Sequence, residues 1–406
     1  MDTQADQGQS LTKMLGPAFV AAIAYVDPGN VAANLTAGAT HGYLLVWVLL
    51  LANTMAVLVQ YLSAKLGLVT GKSLPALLGE RMRKTPRLLF LAQAELVAIA
   101  TDLAEVVGGA IALYILFNIP LLLGALIVGV ISMVLLAIQN WRGQRPFEFV
   151  VMGLLLVITV GFVAGLFVSD VSWGDALAGA VPRFDGTQSV LLAASMLGAT
   201  VMPHAIYLHS QLAHDHHGVV SLGETKRLIT ATRWDVVGSM GVAGTVNIAM
   251  LLLAAATLQG VGGTDTIEGA YNAIAGALGP VIATLFAVGL LASGLASTSV
   301  GSYAGQTILA GLMKIEIPIV ALRAITLAPA LAILAFGVDP TWALVLSQVF
   351  LSLGIPFALV PLVKLSSDKA LMGRFANGLA LRVVAWLVVA LIVALNLVLV
   401  WLTVTG

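Results

Sequence analysis

The chain has 406 residues, of which 60% are hydrophobic and 9% charged, where a soluble domain carries about 25% charged residues, so it reads as an all-α polytopic membrane protein. Its net charge is zero, which gives it no electrostatic claim on nucleic acid. It has no cysteine, which excludes disulfides, thiolate metal sites and cysteine nucleophiles.

Residues 1–13 are short and polar, without the basic n-region or small-residue cleavage site of a signal peptide. They read as a cytoplasmic tail. Apolar runs then place eleven membrane spans, near 14–38, 43–68, 88–117, 120–139, 146–168, 188–212, 233–258, 277–309, 318–337, 341–363 and 380–404. Runs 3 and 8 exceed what a crossing needs and are expected to tilt or to extend beyond the membrane. With the N-terminus in the cytoplasm, 18 of the 19 Lys and Arg fall on the cytoplasmic side, Arg183 being the exception. That separation follows the positive-inside rule and supports the count of eleven, with the C-terminus outside.

Span 1 carries Asp27-Pro28-Gly29-Asn30 at its middle. An Asp at the centre of a membrane helix costs roughly 2.5 to 3.5 kcal/mol on insertion scales. Pro28 and Gly29 are expected to break the backbone ladder and free carbonyls that lipid cannot satisfy. Such a segment is tolerable where it lines an enclosed site, and it reads as half of a cation site.

Span 3 carries Glu95, Asp102 and Glu105, at spacings of seven and three that share one helical face. They read either as a proton path or as partners of a buried basic residue, with Glu95, nearer the helix start, also fitting an interfacial acid. Span 6 repeats the defect of span 1 at 198–204, broken at Pro203. Met202 offers a thioether there or simply fills a gap. His204 suits a proton relay or gate. His209, five residues on, does not make an i,i+4 metal pair with it and reads as packing or gating. Arg323 near the cytoplasmic end of span 9 either pairs with a span 3 acid or snorkels. Gln348 on span 10 either completes a metal shell or bridges helices.

The two breaks, Pro28 and Pro203, are five spans apart. An odd number of crossings inverts the second unit, so 14–168 and 188–363 read as two inverted five-helix repeats, with 380–404 appended. Paired interrupted helices in two halves point to a transporter's midplane site. Its donors would be the Asp27 carboxylate, the Asn30 amide, the Met202 thioether and inward carbonyls near Ala24 and Ala199. Oxygen donors with one sulfur favour Mn, Fe, Co or Cd over Mg and Ca.

Asp27-Pro28-Gly29-Asn30 with Met202-Pro203-His204, together with Ala100-Thr101-Asp102-Leu103-Ala104-Glu105 and Ile206-Tyr207-Leu208-His209-Ser210, resembles the Nramp family of divalent metal transporters, and among them the bacterial MntH-type proton-dependent manganese transporters. The likeness runs over nearly the whole chain. It implies a LeuT-like fold and symport of Mn²⁺, and of Fe²⁺ and similar ions, with H⁺ across the bacterial cytoplasmic membrane. It also implies Asp27, Asn30, Met202 and the Ala199 carbonyl as metal ligands, and proton release through Asp102 and Glu105. The metal is then substrate, no resident cofactor is called for, and a monomer in the bilayer suffices. The family's pair of adjacent arginines on span 9 stands here as Leu322-Arg323.

Two signals carry less. Gly67 to Ser73 lacks the glycine spacing of a phosphate loop. The run His214-Asp215-His216-His217 reads as a solvated loop. No motif suggests an enzyme. The rival functions are an organic-solute (amino-acid type) transporter on the same scaffold, a passive metal channel and, more remotely, an intramembrane metallo-hydrolase.

Overall fold

A computed structural model describes residues 16–218, 222–264, 266–315 and 318–405. The tail at 1–13 and the first residues of span 1 lie outside the described residues. Span 1 is two helices, α1 (Pro17–Ile23) and α2 (Pro28–His41). Between them Ala24–Val26 make one 3-10 turn and Asp27 is extended. Span 1 is therefore broken where expected, at Asp27-Pro28, with Pro28 opening the second helix and Gly29 inside it. A proline lacks the N–H that a first helical position leaves unused, and Asp27 caps α2 by accepting the Asn30 N–H.

Span 2 is α3 (Val46–Thr70), a short α4 (Leu74–Arg81) fills the following loop, and spans 3 to 5 are α5 (Lys84–Phe117), α6 (Leu121–Arg142) and α7 (Gln144–Val163). After the short α8 (Trp173–Ala178), span 6 divides into α9 (Gly186–Thr200) and α10 (Pro203–His217), with Pro203 again at the first helical position. Span 7 is α11 (Leu222–Thr257). It starts well before residue 233, so Lys226 and Arg227 are helical and not in a loop. The run near 277–309 is also divided. A separate α12 (Ile267–Leu278) ends at Gly279, whose φ of 91° suits only glycine, and Pro280 opens span 8 as α13 (Pro280–Met313). Hydropathy marks apolar length and misses such a corner. Spans 9 to 11 are α14 (Ile319–Ala335), α15 (Pro340–Ser366) and α17 (Leu379–Thr405), with a single turn α16 (Lys369–Met372) before the last.

Among the described residues nine helices are long and apolar enough to cross a membrane, α9 and α10 counting as one, while α1 and α14 are short apolar helices. The packing maps onto itself when each span is exchanged for the one five places on. α3 packs on α10 as α11 packs on α2. α7 packs on α13 as α15 packs on α5, and α1 packs on α7 as α9 packs on α15. The two broken spans run antiparallel, with α1 beside α10 and α2 beside α9. Small residues allow these close approaches. A Cβ at Gly294 would lie 2.8 Å from the Gly109 Cα, and one at Gly67 would strike the Ser210 carbonyl.

Candidate metal site

The two breaks face each other. Asp27 Oδ1 accepts the Asn30 backbone N–H at 2.7 Å and its Nδ2 at 2.8 Å. The same Nδ2 donates to the Ala199 carbonyl at 2.9 Å. A carboxylate oxygen from one span and a carbonyl oxygen from the other thus converge on one point, presently held by an NH₂ group. Oxygens that converge on a positive hydrogen also suit a cation. Asn30 Oδ1 turns toward the Thr200 hydroxyl at 3.5 Å. To ligate, the amide must turn over and exchange its hydrogen bonds for a metal bond. Met202 stands directly before the first-turn proline of α10, as Asp27 stands before that of α2. Ala24 opens the 3-10 turn on the other side of the span 1 break.

The next two carbonyls of that turn are already taken, Tyr25 by Asn247 Nδ2 at 2.7 Å and Val26 by the Ser293 hydroxyl at 2.6 Å. Gln348, in the middle of α15, touches both breaks. A Cβ at Gly29 would lie 2.9 Å from its Cγ, and its backbone carbonyl lies against Gly198. Its Nε2 donates to the Ser347 hydroxyl at 3.2 Å, while its Oε1 has no protein partner. Ala24, Asp27, Asn30, Ala199, Met202 and Gln348 are all completely buried. Among the described residues no three His, Cys, Asp or Glu gather to hold a metal. An ion here would rest on one carboxylate plus neutral oxygen and sulfur donors.

α5 runs past this point. Gly108 packs on the Pro28 ring. One turn earlier Glu105 is completely buried, with neither carboxyl oxygen hydrogen-bonded to protein. It lies within electrostatic reach of Asp102, Asp27 and Arg323. Asp102 forms a buried ion pair with Arg323 Nη1, which also reaches the Ser302 hydroxyl at 3.4 Å. Arg323 is 3% exposed and so does not snorkel. The acids therefore step from the break toward an arginine, while Glu95 is half-buried further along. His204 Nδ1 lies 3.4 Å from the Thr101 hydroxyl, beside Asp102.

Several contacts were not legible beforehand. His209 Nδ1 meets Gln60 Oε1 at 2.7 Å, and Gln60 Nε2 donates to the Tyr25 hydroxyl. This chain ties spans 6, 2 and 1 together on the α1 side of the break. Asp235 of α11 accepts the backbone N–H groups of Gly16, at 3.2 Å, and Ala18, at 3.0 Å. Glu148 of α7 pairs with His216 at 2.9 Å and takes Gln144 Nε2 at 2.8 Å. The run 214–217 is the last turn of α10, and the His216 side chain is 3% exposed. The solvated-loop reading is thereby corrected. Gln60, Asn247 and Glu148 share one signal with Gln348, a polar residue placed among apolar neighbours. On the opposite side, a cleft of about 590 Å³ lies among α2, α9 and α15, lined by Thr36, Leu192 and Val349, the last adjacent to Gln348.

Residues 18–402 match the sequence profile of the Nramp family, described as natural resistance-associated macrophage protein-like. The chain is 60% identical over 394 residues to the divalent metal cation transporter MntH of Mycobacterium tuberculosis H37Rv, an alignment covering 97% of this chain and 92% of that one. It is similar to the crystal structure of the Eremococcus coleocola manganese transporter, at a TM-score of 0.86 and 30% identity over 97% of this chain and 88% of that one. The structure of MhsT with L-phenylalanine matches at a TM-score of 0.64 and 15% identity, over 94% and 98% of the two chains. The fold is LeuT-like.

Proposed function

The chain belongs to the Nramp family, and we propose that it imports divalent transition metal ions, Mn²⁺ foremost and Fe²⁺ and similar ions with it, in symport with protons. It is a membrane transporter of divalent metal cations and not an enzyme. The observation that carries the finer reading is the convergence of Asp27 Oδ1 and the Ala199 carbonyl on the Asn30 amide. Met202 in the matching position of span 6 supplies the soft donor that Mg²⁺ and Ca²⁺ have little use for. Ala24 and Gln348 stand next to the same point and complete the shell as the site opens and closes. The organic-solute reading has no role for a lone carboxylate opposite a thioether.

In this reading the metal arrives through the cleft beside Val349, and the ligands close on it. The opposite side is held shut by Asp235 on the start of α1 and by the Tyr25–Gln60–His209 chain. Release follows when those contacts part and α1 swings. The proton leaves Asp27 by way of Glu105 to the Asp102–Arg323 pair, with His204 beside Thr101 as a gate. Moving two charges inward across 100 mV supplies about 4.6 kcal/mol, and the proton adds to it. The site of action is the bacterial cytoplasmic membrane, with the N-terminus inside. No resident cofactor is required, and one chain suffices.

The test is Mn²⁺ uptake into proteoliposomes holding wild type or Met202→Ala, with Ca²⁺ and Mg²⁺ as competitors and internal pH followed. Saturable uptake with acidification, resistant to excess Ca²⁺ only when Met202 is present, supports the proposal. Uptake without acidification removes the proton path, and no uptake under any gradient removes the metal reading.

A further inference from the structure

One face of α11 takes no part in this machinery. Lys226, Ile229, Thr230, Arg233, Val236 and Val237 recur at offsets of 0, 3, 4, 7, 10 and 11, so they form a single stripe along the helix. Two adjoining depressions follow it. The upper, about 450 Å³, lies between α11, α3 and the start of α17, walled by Val57, Leu58, Val237 and Leu381, with Arg233 and Tyr61 also lining it. The lower, about 390 Å³, carries Lys226 and Thr230 opposite Arg374 and Phe375. Neither is lined by an acidic side chain.

Other bases at this end of the molecule have found protein partners. Lys72 pairs with Glu80, Arg81 with Asp368, and Lys65 turns inward to Asn377. Among the described residues Arg233 and Lys226 have no carboxylate within ion-pair distance. An apolar slot that ends in two cations about two turns apart on a membrane-spanning helix fits an amphiphile with an anionic head. Basic pockets between membrane helices on this side are of that kind. A free phosphate would meet the charges and leave the slot unused.

We propose that this groove binds an anionic phospholipid of the leaflet at the basic end, its phosphate on Arg233 and Lys226 and one acyl chain in the slot between α3, α11 and α17. The test is native mass spectrometry of the purified chain exchanged into detergent with equal phosphatidylglycerol and phosphatidylcholine. Wild type is expected to retain phosphatidylglycerol over phosphatidylcholine by about tenfold, and K226Q/R233Q to lose that preference. Val237→Trp, which keeps both charges and fills the slot at an exposed position, is expected to lose the bound lipid as well. Thermal unfolding of each variant in detergent reports that it is folded. Equal retention of the two lipids by wild type, or undiminished preference in K226Q/R233Q, overturns the proposal. Displacement of phosphatidylglycerol by millimolar inorganic phosphate, with Val237→Trp unaffected, overturns it in favour of a plain phosphate site.

Discussion

Asp27 does two things with one side chain. It caps α2 through the Asn30 N–H, and it brings the formal charge among the proposed ligands. Asn is as good an N-cap as Asp, so Asp27→Asn separates the two. The expected result is a thermal midpoint close to wild type with Mn²⁺ uptake reduced at least about a hundredfold, loss of the charged ligand costing more than the 10–100-fold of an outer-shell change. Radiotracer uptake and a thermal unfolding scan check it together. A second test concerns Asp102 and Arg323, both buried. Arg323→Ala strands a buried carboxylate, and breaking such a pair costs about 3–5 kcal/mol. The double variant Asp102→Leu/Arg323→Met is expected to unfold near the wild-type temperature while moving Mn²⁺ without acidifying the lumen. Recovery of stability without proton flux separates a structural pair from a transporting one. At this scale the sequence was readable where a residue was anomalous by itself, as with Asp27 before a proline inside an apolar run. It was not readable where a role depends on a partner. Gln60 becomes informative only when folding sets it between Tyr25 and His209, 35 residues before it and 149 after it.

Among elements, the contacts that matter are between backbones. A Cβ at Gly108 would strike the Pro28 ring, which opens α2. Gly108→Ala is expected to displace α2 relative to α5, to destabilise by about 1–3 kcal/mol as overpacking does, and to lower uptake in a liposome flux assay more than the stability loss explains. Asp235→Ala tests the start of α1. Hydrogen bonds to a charged group contribute about 1.5–3 kcal/mol, so its loss is expected to raise the open population about tenfold or more. The chain has no native cysteine, so Ala22→Cys in α1 provides a single reporter thiol, buried in the closed state. Its alkylation rate by a membrane-impermeant maleimide, added from the basic side, should rise accordingly. An unchanged rate would mean that Asp235 does not hold the gate. Element boundaries were legible from proline and glycine more than from hydropathy. Gly279-Pro280 separates α12 from span 8, and an apolar window runs straight across it.

At the scale of the molecule, the succession of apolar helices and the paired defects could be read from one sequence, because bilayer thickness fixes the length of an apolar span and a broken span stands out against it. The pairing of helices could not, since hydropathy does not say which neighbour a helix meets. The exchange of each span with the one five places on, which the paired breaks already suggest, is carried through helix pair by helix pair in the packing. It makes the two sides equivalent in plan and unequal in detail, since α1 rests on Asp235 and the opposite side presents a cleft. The length of α1 has its own consequence. Seven residues at about 1.5 Å each make a lever arm near 10 Å. A hinge swing of about 30° moves its tip by about 5 Å. If α1 is the moving part of the proposed cycle, its length sets the stroke, so the width of the exit is fixed by a seven-residue arm.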